Sequence, residues 1–170
     1  DTARRLQIDG VCTFSSDVAV PTVGAVCDAL ALPGISAAAA EVMSTKHRFR
    51  AFLRDAGLPH PAFVAGSEFS KVRTPAQALH YPVVCKPVDT SGSRGVTRVD
   101  SPGDAELGAA FDCAKSFSRS GVVCIEDFVR GVEVGGDGVL VNGRFAFLAI
   151  THKHVNGFVV TGHSLPTNIS

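Results

Sequence analysis

The chain has 170 residues, with Lys+Arg 16 against Asp+Glu 16, and 45% of them are hydrophobic. That length suits one large or two small domains with a real core, and the ordinary apolar content excludes wholesale disorder. A formal net charge of zero argues against a nucleic-acid or polyanion surface, which needs a basic excess, but allows a local basic pocket for a small phosphate.

In chain order, Ile8 to Cys12 reads as the end of a strand. Pro21 and Thr22 open a helix through Leu30, which Pro33-Gly34 stops. Ser36 caps a short alanine-rich helix from Ala37 to Met43. A further helix runs from Thr45 to Ala56, with Phe49, Phe52, Leu53 and Ala56 at the i, i+3, i+4, i+7 spacing of one buried face. Gly57 suits its C-terminal turn, and Leu58-Pro59-His60-Pro61 is a stiff linker.

A compact α/β pattern follows. Phe63 to Ala65 is a strand, and Thr74-Pro75 opens a helix to Leu79. Val83 to Pro87 is a strand, Asp89 to Gly95 a polar glycine-bearing loop, and Val96 to Val99 a strand. Asp104 to Phe117 is helical, and Gly121 to Glu126 is an apolar strand ending in a carboxylate. From Val132 only strands remain, including a hairpin of Val139 to Val141 and Arg144 to Ile150 around Asn142-Gly143.

No segment reads as transmembrane: the apolar stretch from Val18 to Met43 carries Asp28 and Glu41 and is broken by Pro33-Gly34. The chain begins Asp1-Thr2-Ala3-Arg4-Arg5, without Met and with no apolar run behind it, so it is expected to be a piece of something larger. Cys12, Cys27, Cys85, Cys113 and Cys124 are widely spaced with apolar neighbours, and read as buried, reduced thiols of a cytoplasmic protein. His152-Lys153-His154 has no further ligand at metal-binding spacing.

Four features point to chemistry. The loop Asp89 to Gly95 combines glycines, hydroxyls and Arg94, so backbone N–H groups can approach phosphate oxygens closely. It is neither a Walker loop nor a Gly-x-Gly-x-x-Gly turn. Lys86 ends an apolar strand directly before this loop, where burial is costly unless an anion is met. Lys46 stands at a helix start, where the dipole disfavours a cation and a phosphate would relieve the cost. Glu126 ends a strand, where a carboxylate can accept from an exocyclic amine, and Glu133 starts the next, where a ribose diol is a suitable partner. Taken singly, each has an ordinary alternative: a polar hairpin, lysines reaching solvent, and acids that solubilise strand edges.

In order, these pieces resemble the ATP-grasp superfamily. The matching segments are Lys46-x-x-x-Arg50, Gly57-Leu58-Pro59-x-Pro61, Tyr81-Pro82-Val83-Val84-Cys85-Lys86-Pro87, Ser91-Gly92-Ser93-Arg94-Gly95-Val96 and Ile125-Glu126-Asp127-Phe128-Val129-x-Gly131-x-Glu133. The likeness is nearest to the carboxylate–amine ligases, with biotin carboxylase and carbamoyl phosphate synthetase more distant.

The resemblance implies an α/β (α+β) fold. It divides the chain into the end of a pre-grasp domain (1–34), linker helices (35–61), a small lid subdomain (62–125), and a hinge with the start of an antiparallel large subdomain (126–170). It implies that Lys46 and Lys86 contact the ATP phosphates as the catalytic lysines, and that Ser91, Gly92, Ser93, Arg94 and Gly95 close over them. Glu126 would take the adenine amino group, Asp127, Phe128 and Val129 would form the hinge, Glu133 would hold the ribose, and Lys153 would add a phosphate-side cation. The implied activity is ATP-dependent conversion of a carboxylate to an acyl phosphate, which an amine or other nucleophile attacks. Bicarbonate activation or non-catalytic nucleotide binding are the alternatives. ATP and Mg2+ are the implied cofactors, with the metal carboxylates expected past residue 170. The implied partners are a small carboxylate, a nucleophile and a second copy in a homodimer, without nucleic acid or membrane.

Overall fold

The computed structural model describes residues 2–14 and 16–167. A short helix α1 (Thr2–Leu6) and a 3-10 turn (Asp17–Ala19) precede three helices, α2 (Val20–Leu30), α3 (Ala37–Ser44) and α4 (Lys46–Asp55). No strand forms at Ile8 to Cys12, because nothing pairs with that short run. Pro21 sits in the first turn of α2, where its missing N–H costs nothing. The Ser36 side chain caps α3 by accepting from the Ala39 N–H at 3.2 Å, and Asp28 accepts from the Ala37 N–H at 2.9 Å. Helices α2 and α3 approach closely at Gly24, where an added Cβ would meet Ala40 Cβ at 2.9 Å.

The expected apolar face of α4 is only partly covered. Phe52 and Ala56 are exposed, while Lys46, Arg50 and Leu53 are half-buried. The spacing i, i+4, i+7 of those three puts two cations on the inward face, with Phe49 half-buried beside them and Phe52 turned outward.

The next stretch contains β1 (Phe63–Gly66), α5 (Phe69–Gln77), β2 (Val83–Pro87), β3 (Thr97–Val99), α6 (Asp104–Phe117) and β4 (Val123–Asp127). The strands form one antiparallel sheet in the order β1-β4-β2-β3. Helix α5 starts at Phe69, not Thr74, and holds Pro75 inside it. Val72 and Ala76, spaced i, i+4, are both buried, and this packing overrides the local Thr-Pro turn signal.

The core lies between this sheet and the pair α5 and α6. Val83, Cys85, Val99, Val123 and Ile125 meet Leu107, Ala110, Phe111 and Ala114 there. Phe111 is almost wholly buried, with the Phe69 ring 5.6 Å away. Phe111→Ala is expected to cost about 3–5 kcal/mol in chemical denaturation, since it leaves a cavity no neighbour can fill. Of the cysteines, Cys27, Cys85 and Cys124 are buried and free, but Cys12 and Cys113 are exposed. Cys113 lies on α6 outside the buried set Leu107, Ala110, Phe111 and Ala114, so the expectation of five buried thiols is corrected.

The chain divides into two compact units between Phe128 and Val129. The second holds a three-stranded antiparallel sheet, β5 (Val134–Val141), β6 (Arg144–Asn156) and β7 (Val159–Ser164). Asn142 and Gly143 both take positive φ, 50° and 75°, as a two-residue hairpin turn demands. Strand β6 runs on to Asn156 and turns back through Gly157 into β7, a third strand that agrees with the all-strand reading from Val132. Val139, Leu140, Val141, Phe145 and Phe147 on this sheet are exposed.

Candidate functional site

Strand parity builds the site. In β2, Val83 and Cys85 face the core, so Lys86 projects from the opposite face. In β4, Ile125 faces the core, so Glu126 projects with Lys86. The register pairs Lys86 with Cys124 and Val84 with Glu126, which makes Lys86 and Glu126 diagonal neighbours on one face. Among the described residues Glu126 is the buried charged one. Its Oε1 accepts from the Lys86 ammonium. Helix α4 closes the arrangement: Arg50 Nε donates to Glu126 Oε2 at 3.0 Å and Nη2 to Oε1 at 3.2 Å. Burial alone would raise the Glu126 pKa, but Lys86 and Arg50 outweigh it and hold the carboxyl below its ordinary range.

Lys46 is one turn before Arg50 on the same face of α4. Its Nζ donates to the Thr90 carbonyl at 2.7 Å, and its N–H to the Val88 carbonyl at 2.9 Å. Burial first, and Lys86 second, push the Lys46 pKa below the ordinary lysine value of 10.5. Two ammonium groups therefore stand near each other beside the glycine-bearing loop.

That loop is pinned at its base. Asp89 Oδ1 accepts from the Ser118 hydroxyl at 3.0 Å and the Arg119 N–H at 3.1 Å, and Oδ2 from the Ser120 N–H at 2.8 Å. Within it, Arg94 Nε donates to the Ser91 carbonyl at 3.3 Å. Gly92, Ser93 and Gly95 all take positive φ. At Gly95 an added Cβ would lie 2.8 Å from the Phe117 ring, so shape and backbone both require glycine.

Asp127 accepts from the His80 N–H at 3.1 Å. The N–H groups of Asp127 and Phe128 donate to Ala62 and Pro82 carbonyls, and the Arg98 guanidinium lies 5.0 Å from the Phe128 ring centre. Val129, in the second unit, is exposed. Also in that unit, Glu133 and Lys153 meet: their charged groups lie 3.5 Å apart, and the Lys153 N–H donates to the Glu133 carbonyl at 3.0 Å.

Of the expected residues, the first unit brings together Lys46, Lys86, Glu126 and the loop from Ser91 to Gly95; the second brings together Glu133 and Lys153. The sequence places Arg50 in a matching segment and Asp89 and Thr90 in the glycine-bearing loop, without a separate role for any of them. The i, i+4 spacing of Lys46 and Arg50 was the available sign for the first of these. Magnesium does not fit the acids present. Glu126 spends both oxygens on cations and Asp89 spends both on the loop base. Among the described residues no group of three or more His, Cys, Asp and Glu could hold a metal.

Comparison with known proteins agrees with this layout. The family of the D-ala D-ala ligase C-terminus matches residues 52–159. D-alanine–D-alanine ligase B of Chromobacterium violaceum is 35% identical over 114 residues, covering 66% of this chain and 36% of that protein. The carbamoyl phosphate synthase large chain of Rubrobacter xylanophilus is 32% identical over 123 residues, covering 72% of this chain and 11% of that protein. The crystal structure of an L-amino acid ligase from Bacillus licheniformis superposes with a TM-score of 0.71 at 25% identity, covering 95% of this chain and 36% of that one. The chain thus spans about a third or less of the length of these relatives. With its family matched over most of its length and its strands and helices in the same arrangement, the chain belongs to the D-ala D-ala ligase C-terminus family, of the ATP-grasp, carboxylate–amine ligase kind.

Proposed function

We propose that this chain is the nucleotide-binding part of an ATP-dependent ligase that activates a carboxylate as an acyl phosphate for attack by an amine or another nucleophile. One observation carries it: Lys46, from a helix, and Lys86, from a strand, converge beside the loop of Ser91 to Gly95. Two ammonium groups and a ring of loop N–H groups neutralise phosphate oxygens, and phosphoryl transfer depends on such positioning and charge stabilisation. In this reading residues 62–125 form the lid and the segment from Asp127 to Val129 meets the adenine edge through its backbone. The Glu126 carboxylate also holds Lys86 in place. Free cysteines fit a reducing, cytoplasmic setting.

The test has two steps. Calorimetry of the intact chain is expected to show ATP and ADP binding, with adenosine much weaker. The enzyme containing this chain, given ATP and a panel of carboxylates with hydroxylamine, is then expected to form hydroxamates from the trapped acyl phosphate. Binding without any carboxylate-dependent ADP release would overturn the ligase reading, and bicarbonate-dependent release would replace it with a carboxylase-like one.

A pH dependence follows from Lys46. A phosphate favours its charged form, while burial and Lys86 disfavour it in the free chain. Binding therefore takes up protons, and affinity is expected to fall as pH rises through the lowered Lys46 pKa, below the ordinary lysine range. Titration between about pH 7 and about pH 10 checks this, and the fall is expected to be absent in Lys46→Met.

A further inference from the structure

We propose that Arg50 is a positioning residue, one that never touches the nucleotide but keeps Lys86 available to its phosphates; this rests on the nucleotide-binding reading above. Lys86 and Glu126 by themselves would be one cation against one anion. A phosphate approaching Lys86 would meet a carboxylate already bound to it, and the pair would offer no net positive charge. Arg50 changes that balance. Its guanidinium grips both oxygens of Glu126, at 3.0 and 3.2 Å, in the fork geometry that suits a carboxylate. The trio then carries a net positive charge, and the carboxylate is drawn toward α4. Lys86 spends one of its three N–H donors on Glu126 and keeps two. The three side chains are largely shielded, with 21%, 8% and 15% exposure for Arg50, Glu126 and Lys86, so water screens their charges little.

The placement on α4 adds a second effect. Arg50 is one turn after Lys46 on the same helix face. Its bond to Glu126 on β4 ties that helix to the sheet that carries Lys86. One ion pair therefore sets the position of both lysines.

The experiment compares ADP and adenosine affinities, by calorimetry on the intact chain, for the wild type, Arg50→Met, Arg50→Lys and the double variant Arg50→Met with Glu126→Gln. Thermal unfolding of each is followed alongside. Arg50→Met is expected to lose about tenfold in ADP affinity with adenosine little changed, because only the phosphates sense Lys86. Arg50→Lys should fall between, since it keeps the charge but loses the fork. The double variant should recover most of the ADP affinity, because removing the carboxylate's charge frees Lys86 again. A purely structural arginine would lower both ligands together and show no recovery. If Arg50→Met does not fold, Arg50→Lys decides: a drop for ADP without one for adenosine supports the proposal, and equal drops overturn it. Unchanged ADP affinity in Arg50→Met, or a double variant no better than the single, overturns it while leaving the nucleotide-binding reading standing. A wild-type chain that binds no ADP overturns both.

Discussion

Glu126→Ala is expected to destabilise the first unit by about 3 kcal/mol, one of the larger effects of any single substitution in the chain. The carboxylate satisfies Lys86 and Arg50 at once, and both cations are mostly shielded from water. Removing it leaves two like charges facing each other across an apolar strand. Thermal unfolding should move down by about 6–12 °C for a chain of this size. The loss is also pH-dependent. The folded Glu126 pKa lies below the ordinary 4.5, so its contribution is complete above that value and disappears as pH falls through the lower folded one. The difference between wild type and Glu126→Ala should therefore shrink only in strong acid. A difference that is already gone near neutral pH would show that the ion pairs contribute nothing.

Lys86→Met is expected to behave in the opposite way: a large loss of binding with a modest loss of stability. Glu126 keeps its two bonds to Arg50 in that variant, so no charge is left unpartnered. ATP affinity should fall by about 1–3 kcal/mol, or about five- to 150-fold, for loss of a charge-assisted contact. Calorimetry and thermal unfolding on the same sample separate the two effects. ATP affinity equal to wild type would remove Lys86 from the phosphate site.

The contrast between these variants shows what could be read from residues alone. The apolar run Val83-Val84-Cys85-Lys86 announces a strand, and the lysine at its end is conspicuous because it follows buried positions. The parity of that run places Lys86 on the face away from Val83 and Cys85, and the same logic places Glu126 away from Ile125. What the residues could not disclose was register. Only the pairing of Lys86 with Cys124 makes Glu126 its diagonal neighbour, and that depends on how two strands slide past each other. Without register, Glu126 reads as a carboxylate offered to a ligand rather than one held between two cations.

Helix α4 is a similar case. Its aromatic residues carry the stronger periodic signal, so Phe52 and Ala56 look buried. The tertiary structure turns Lys46 and Arg50 inward instead, Arg50 to the buried Glu126 carboxylate and Lys46 to the Thr90 carbonyl. Helix α5 was misjudged at its start for a local reason: Thr74-Pro75 is a good helix opening, yet Val72 and Ala76 both contribute to the core and carry the helix back to Phe69. The all-strand pattern after Val132 does not mark the bounds of the third strand, because Val159 to Ser164 alternates weakly and is broken by Gly162. By contrast, Asn142-Gly143 was legible because its turn needs positive φ at both positions and few residue pairs supply it.

The most direct measurement is a crystal structure of the chain with ADP or a non-hydrolysable ATP analogue. Lys46 donates one of its three N–H groups to the Thr90 carbonyl and keeps two for an anion. With nucleotide bound, the Lys46 Nζ is expected to reach a phosphate oxygen together with the Lys86 Nζ, while Arg50 stays on Glu126. A nucleotide seated elsewhere, or phosphates that touch neither Lys46 nor Lys86, would contradict the site assigned to this chain.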